Sequence, residues 1–189
     1  MSIRSLAAIR HRARSALGRL LPQRVMRDRR GSAAIEFAAV SIPFFALIGA
    51  IIETALVFLA GQILDTAVND AARLIRTGQV QQSKMDAAAF KTEVCKRLYI
   101  LFDCSGLFID VRTSSDFTSI STSPPIDKDG KFVKDFSYNA GKATEIVVVK
   151  AYYEFHLTLS GLGLDLSDLA NGNRLLGAVT AFRNEPFPW

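Results

Sequence analysis

Residues 37–61, FAAVSIPFFALIGAIIETALVFLAG, carry a single charge, Glu53. About 20 apolar residues span a bilayer core, so this run is long enough to cross one. No lysine or arginine occurs between Arg30 and Arg73, whereas residues 1–31 hold nine arginines against one acid, Asp28. Basic residues stay on the cytoplasmic side of a membrane helix. The expectation is a cytoplasmic residue 1–30 segment and a C-terminal body on the outer, periplasmic side. The charge is split the same way. The first segment is +8, and the remaining 14 basic and 17 acidic side chains make the body −3. A nucleic-acid function for the body is disfavoured, because it lacks a basic footprint.

Two ordinary explanations compete for such an N-terminus. A secretory signal has an apolar region of about 7–15 residues, well short of this one. An organelle transit peptide is rich in Arg, Ser and Ala and poor in acids, as residues 1–30 are. That second reading, an organelle inner-membrane protein, stays open on composition.

The stretch RDRRGSAAIEFAAVSIPFF, from Arg27, adds a finer feature. A glycine, Gly31, precedes the apolar run, and Glu36 is the fifth residue after it. This resembles a type IV prepilin-like signal. On that resemblance Gly31 is the last leader residue, Ser32 the first mature residue, and a prepilin peptidase cuts on the cytoplasmic side while the helix stays attached. A carboxylate at the bilayer centre costs about 2.5–3.5 kcal/mol. Glu36 lies about 6 Å into a helix of 1.5 Å rise, near the interface, and costs less. Among side-by-side subunits it would pair with a neighbour's Ser32 amine and mark register.

The longer stretch GSAAIEFAAVSIPFFALIGAIIETALVFLAGQILDTAVNDAARLIRTGQV resembles the TadE-like family, minor pilin-like proteins of tight-adherence (Flp) pilus systems. The residues that carry this are Gly31, Glu36, Phe37, Pro43, Glu53 and NDAARLIRTG (69–78), with FRNEPF (182–187) resembling that family's terminus. The resemblance implies a pseudopilin-type subunit that assembles with other pilin-like subunits at an inner-membrane assembly platform. Removing a 31-residue leader from 189 residues leaves 158, much larger than the small major pilin of such systems.

Residues 32–77 resist a helix only at Pro43 and the glycines. Forty-six residues reach about 69 Å, twice a bilayer core, so the helix should leave the membrane near residue 61 and continue outside. Beyond residue 61, Ile63, Leu64, Ala67, Val68, Ala71, Leu74 and Ile75 form an apolar stripe at helical spacing, and Gly78 is the predicted stop. Pro43 removes the bond to the Ala39 carbonyl and predicts a kink. Ala34, Ala38, Ala46 and Ala50, with Gly49, offer small-residue contacts between helices. Glu53, about 24 Å past Phe37, either snorkels to the outer interface or meets a partner helix.

The body reads as a second helix over 84–102, then strands at 107–112, 144–157 and 175–182. Residues 113–132 are turn-rich, a loop or short hairpin. Residues 158–173 are leucine-rich but broken by Gly and Asn. They predict a short helix on the sheet edge, with an exposed apolar loop as the alternative. The fold class is α+β, pilin-like: a long transmembrane helix continuing into a body with a second helix and an antiparallel sheet of about three to four strands. Its divisions are 1–31 leader, 32–78 long helix, and 79–189 periplasmic domain.

Cys95 and Cys104 are an even pair, which in an oxidising compartment predicts a disulfide. Two buried free thiols are the other reading. Residues nine apart in one helix point in opposite directions, so a bridge requires the second helix to end before Cys104, with a reversal at 103–106. Zinc is disfavoured, since His156 is the only other soft ligand of the body. GLGLDL (161–166) lacks a GxGxxG phosphate loop. No catalytic constellation, cofactor motif or metal set is read, so the chain is not expected to be an enzyme. The remaining alternative is an uncleaved signal-anchored envelope protein with a sensor or adhesin-like domain.

Overall fold

The computed structural model describes residues 31–98, 101–158 and 165–188. The basic leader, apart from Gly31, lies outside the described residues. The chain falls into two compact units, Met1–Leu47 and Ile48–Trp189. Helix α1, Ser32–Arg76, runs from the first into the second.

In the first unit, α1 is mostly apolar and largely exposed. Ile35, Phe37 and Ile42 are each more than two-thirds exposed. Pro43 lies inside the helix, which continues across it. Its missing N–H leaves the Ala39 carbonyl without the usual intrahelical donor.

In the second unit the same helix acquires a buried stripe. Ala60, Leu64, Ala67, Val68, Ala71, Ala72 and Ile75 are buried at the three- and four-residue spacing that places side chains on one face. Asp65, Asn69, Asp70, Arg73 and Arg76 stay exposed. The helix stops because Gly78 takes φ +80°, a left-handed conformation that costs glycine little. A short helix α2, Gln79–Gln82, follows.

Helix α3 spans Ala87–Cys95, much shorter than the predicted 84–102. Asp86 caps it by accepting the Ala89 N–H at 2.8 Å, which fixes a start later than composition suggested. It ends as the Arg97 and Leu98 N–H groups bond to Val94 and Cys95, the tightened last turn of a closing helix. Residues 99–100 of the predicted helix lie outside the described residues. A 3₁₀ turn at Cys104–Gly106 then delivers the chain into β1, Leu107–Ser114.

Strands β2, Ile146–Phe155, and β3, Arg174–Arg183, complete a three-stranded antiparallel sheet in the order β1-β2-β3. The registers run Leu107↔Tyr153 and Val147↔Phe182 along the two ladders. Side-chain alternation gives the sheet two apolar faces. One carries Leu107, Val111, Val147, Val149, Ala151, Leu176 and Ala178 and shares a core with α1, Val80 and Phe90. The other carries Tyr152, Leu175 and Phe108, covered by Ile126, Phe132, Phe136 and Leu169. The predicted loop or hairpin supplies part of that cover: Ile126 and Phe132 form an isolated antiparallel bridge. The short helix expected over 158–173 is absent from its described part. Residues 165–173 form turns instead, with the Asp165 carboxylate accepting from Ser167 N–H and the Asp168 carboxylate from Leu175 N–H. Residues 159–164 lie outside the described residues.

Candidate functional site

The residues singled out by the sequence fall on three parts of α1 and its surroundings. At the start of the helix, the Ser32 hydroxyl donates to a Glu36 carboxylate oxygen at 2.7 Å, in the open. One helical turn separates the two, which makes the contact possible. Gly31 is exposed, with nothing within 4 Å of where a Cβ would stand. Phe37 is fully on the surface. The local arrangement is therefore an accessible peptide bond followed by a carboxylate one turn into an apolar helix.

Further along, Glu53 does something the sequence did not foresee. It is only 6% exposed, and its carboxylate accepts the backbone N–H of Thr158. Thr158 follows β2 after His156 and Leu157. The sole charge of the apolar run is thus turned inward onto the chain's own backbone rather than towards solvent. A carboxylate makes a stronger hydrogen bond to an N–H than a neutral acceptor does. Gly49, Ile52, Leu56, Phe155 and His156 line a hollow of about 290 Å³ beside it. His156 is exposed and shares a hydrogen bond of 3.1 Å with Asn173. The signal for Glu53 was present as a lone acid in an apolar run. Its partner, 105 residues away, had none.

At the far end of α1, two of the stretches that carry the family resemblance meet. Glu185 donates its N–H to the Arg76 carbonyl at 2.9 Å, and the side chains of the same two residues pair at 3.4 Å. The Phe187 ring lies over Gly78, so close that a Cβ there would be 2.6 Å from it. Asn184, buried to 2% exposure, donates to the carbonyls of Ala140 and Lys142. Residues 69–78 and 182–187 therefore form one clasp where the helix ends.

The Sγ atoms of Cys95 and Cys104 are bonded, with Cα atoms 5.9 Å apart, inside the distance a bridge requires. Helix α3 ends at Cys95, and Asp103 opens the reversal by accepting the Ser105 N–H at 2.9 Å. That bond holds the Asp103 carboxyl below its ordinary range. Among the described residues no group of three His, Cys, Asp or Glu side chains is placed to hold a metal ion.

Helix α1 is long and apolar enough to cross a membrane. Its best 18-residue window has mean hydropathy 2.3 and is only 6% buried, unlike the core helix of a soluble domain, which buries such a face. Among the described residues it is the one helix of this kind, near the N-terminus, and it suggests membrane anchoring. Residues 31–73 match the family model described as TadE-like protein, the family that the sequence resembles, and the match points to a Tad pilus-related protein. It ends at Arg73, short of Gly78 and of the 182–187 terminus. No curated protein and no solved structure matches the chain.

Proposed function

We propose that the chain is a pilin-like subunit, of the minor pilin or pseudopilin kind, that helps build a Flp/Tad-type pilus or its secretion apparatus. A prepilin peptidase removes residues 1–31 at the Gly31–Ser32 bond. The mature chain stays in the bacterial inner membrane through α1 as a single pass, with Ser32 on the cytoplasmic side and the body in the periplasm. Its partners are other pilin-like subunits and the inner-membrane platform, reached by lateral packing of helices. The function is structural and needs no catalytic group.

One observation carries this reading. The residues matched by the TadE-like family combine an accessible Gly31–Ser32 bond, a carboxylate at Glu36, and an exposed apolar helix face. The Glu36 carboxylate is now held by a hydroxyl, a weak neutral partner. Cleavage turns Ser32 into a free ammonium, and a neighbour's ammonium in low dielectric is a far stronger partner than a hydroxyl. Proteolysis thereby creates the charge that recruits the next subunit.

Mass spectrometry of the membrane-extracted protein from cells with an active prepilin peptidase tests this. The expected N-terminal residue is Ser32, with α1 retained. An intact Met1 terminus would favour the uncleaved signal anchor, and a cut near Gly61 a conventional secretory signal; either overturns the proposal.

A further inference from the structure

The sheet face turned away from α1 is aromatic at one end and charged at the other. Beyond Phe108, β1 brings Asp110 and Arg112 to it by alternation. Strand β2 brings Tyr152 and Lys150, the latter in register with Asp110. These four side chains line a hollow of about 340 Å³. Pro125, Ile126, Val133 and Phe136 line it as well, so a polar wall meets an apolar one. Residues 122–125 bound it: Ser123 and Pro125 line this hollow, whereas Thr122 and Pro124 line a neighbouring one.

Hydrogen-bonding capacity is left over on the polar wall. Asp110 is 6% exposed. The Arg112 Nε–H at 2.8 Å, the Ser137 N–H at 2.8 Å and the Ser137 hydroxyl at 3.3 Å all donate to one of its oxygens, Oδ1. Its Oδ2 takes no hydrogen bond among the described residues. Tyr152 is 4% exposed, and its ring packs on Phe132 and Phe136. Its hydroxyl has no hydrogen-bond partner among the described residues. Burial, with a smaller push from Asp110, raises its pKa, so at neutral pH it is a donor. The Lys150 ammonium donates to the Ser121 carbonyl at 2.7 Å and has further N–H groups to give. A buried polar group left unpaired costs about 1–3 kcal/mol, and in a cavity wall such groups mark where a polar ligand docks.

The charges of the hollow already answer one another. Asp110 and Asp135 balance Arg112 and Lys150, and Arg112 bridges both aspartates, at 2.8 and 3.8 Å. A charged ligand would have to break that pairing, whereas a neutral one need not. A ligand hydroxyl can accept from Lys150 or Tyr152 and donate to Asp110 Oδ2 at the same time. The apolar wall calls for a C–H surface next to those hydroxyls, and a sugar ring carries both. We propose that this hollow binds a neutral saccharide, with C–H groups of the ring on Phe136 and Ile126 and hydroxyls on Asp110 Oδ2, Tyr152 and Lys150. The volume is at the small end for a ligand pocket and holds roughly one or two sugar rings. An extended peptide fits less well, because residues 122–125 close the hollow where such a chain would have to pass through.

Calorimetric titration of the full chain tests the inference, in a detergent without a sugar headgroup, which would itself compete. The probes are maltotriose and the β-1,4 trimer of N-acetylglucosamine. The competitors are the zwitterion glycylglycine and the anion galacturonate. At least one trisaccharide is expected to bind with Kd on the order of 1 mM, and neither competitor displaces it. Tyr152→Phe removes a hydroxyl that holds nothing in the fold. It is expected to keep the parent's unfolding midpoint and to weaken binding about three- to tenfold, the worth of one hydrogen bond. Val133 is 42% exposed, so Val133→Trp fills the hollow from its rim and abolishes binding. No binding of either trisaccharide, a folded variant that binds as tightly as the parent, or displacement by glycylglycine or galacturonate overturns the inference. If Val133→Trp fails to fold, Tyr152→Phe and the competition on the parent chain decide. The hollow lies in the body, so the result is independent of whether Ser32 is the first residue.

Discussion

At the scale of single residues, the body mixes satisfied and unsatisfied polar groups, and the unsatisfied ones make measurable predictions. The Tyr138 hydroxyl is buried without a hydrogen-bond partner among the described residues, beside the Phe90 ring at 5.8 Å. Burial, with a smaller push from Asp86, raises its pKa from 10 to about 12. The folded state thus holds the proton more tightly than the unfolded state. Stability from this group is complete below pH 10 and falls as pH rises through 10 towards about 12. Tyr138→Phe should flatten that fall and, at pH 7, leave stability unchanged or raised by about 1 kcal/mol, since a phenol with no partner is exchanged for a ring without one. Urea unfolding of the full chain in detergent at pH 7, 10 and 11 checks both. A variant that keeps the parent's decline would assign it elsewhere, with Tyr152, also raised by burial, the next candidate. Glu53 is the opposite case: a group that looked misplaced in sequence is satisfied by the chain itself.

At the scale of elements, what was legible depended on whether the cause was local. The stripe from Leu64 to Ile75 was readable because helical spacing alone places those side chains together. The sheet was readable because Val147, Val149 and Ala151 alternate with Ile146 and Val148. The extent of α3 was not, since its bounds come from the Asp86 cap and from a bridge that fixes Cys95 against Cys104. Nor was the fate of 165–173, where aspartate side chains bonding nearby N–H groups compete with a helix. The Glu36 and Gly31 positions were visible in sequence, but the Thr158 partner of Glu53 and the meeting of Arg76 with Glu185 needed tertiary structure. The bridge carries its own prediction. It joins the end of α3 to the turn before β1, and closing a loop of that length contributes about 2–3 kcal/mol on the chain-entropy account. Replacing both cysteines by serine should lower the urea midpoint of unfolding accordingly, and the parent chain should fall to the same midpoint in reductant. Non-reducing peptide mapping that finds two free thiols in protein isolated from cells would remove this explanation.

At the scale of the whole molecule, the clasp between the end of α1 and residues 184–187 is the longest-range device described. Gly78→Ala meets two obstacles there, a left-handed φ and the Phe187 ring. Phe187→Ala removes only the second. A double-mutant cycle separates them. Phe187→Ala alone should cost about 1–2 kcal/mol, less than a fully buried phenylalanine because the ring is half-buried. Gly78→Ala should cost more, and its penalty should shrink but persist in the Phe187→Ala background, where the φ strain remains. Thermal unfolding of the four chains in detergent reads out the cycle. An unchanged Gly78→Ala cost in both backgrounds would show that the ring plays no part.

The sharing of one core by α1 and β3 sets a timetable. The ribosome makes α1 first, and β3 has yet to be polymerised when α1 is complete. Until Leu176, Ala178 and Phe182 arrive, the lid over the stripe at Leu64, Val68 and Ile75 is incomplete. A nascent or truncated chain is therefore sticky and unfinished, and proteases have a clear mark by which to tell it from a completed one.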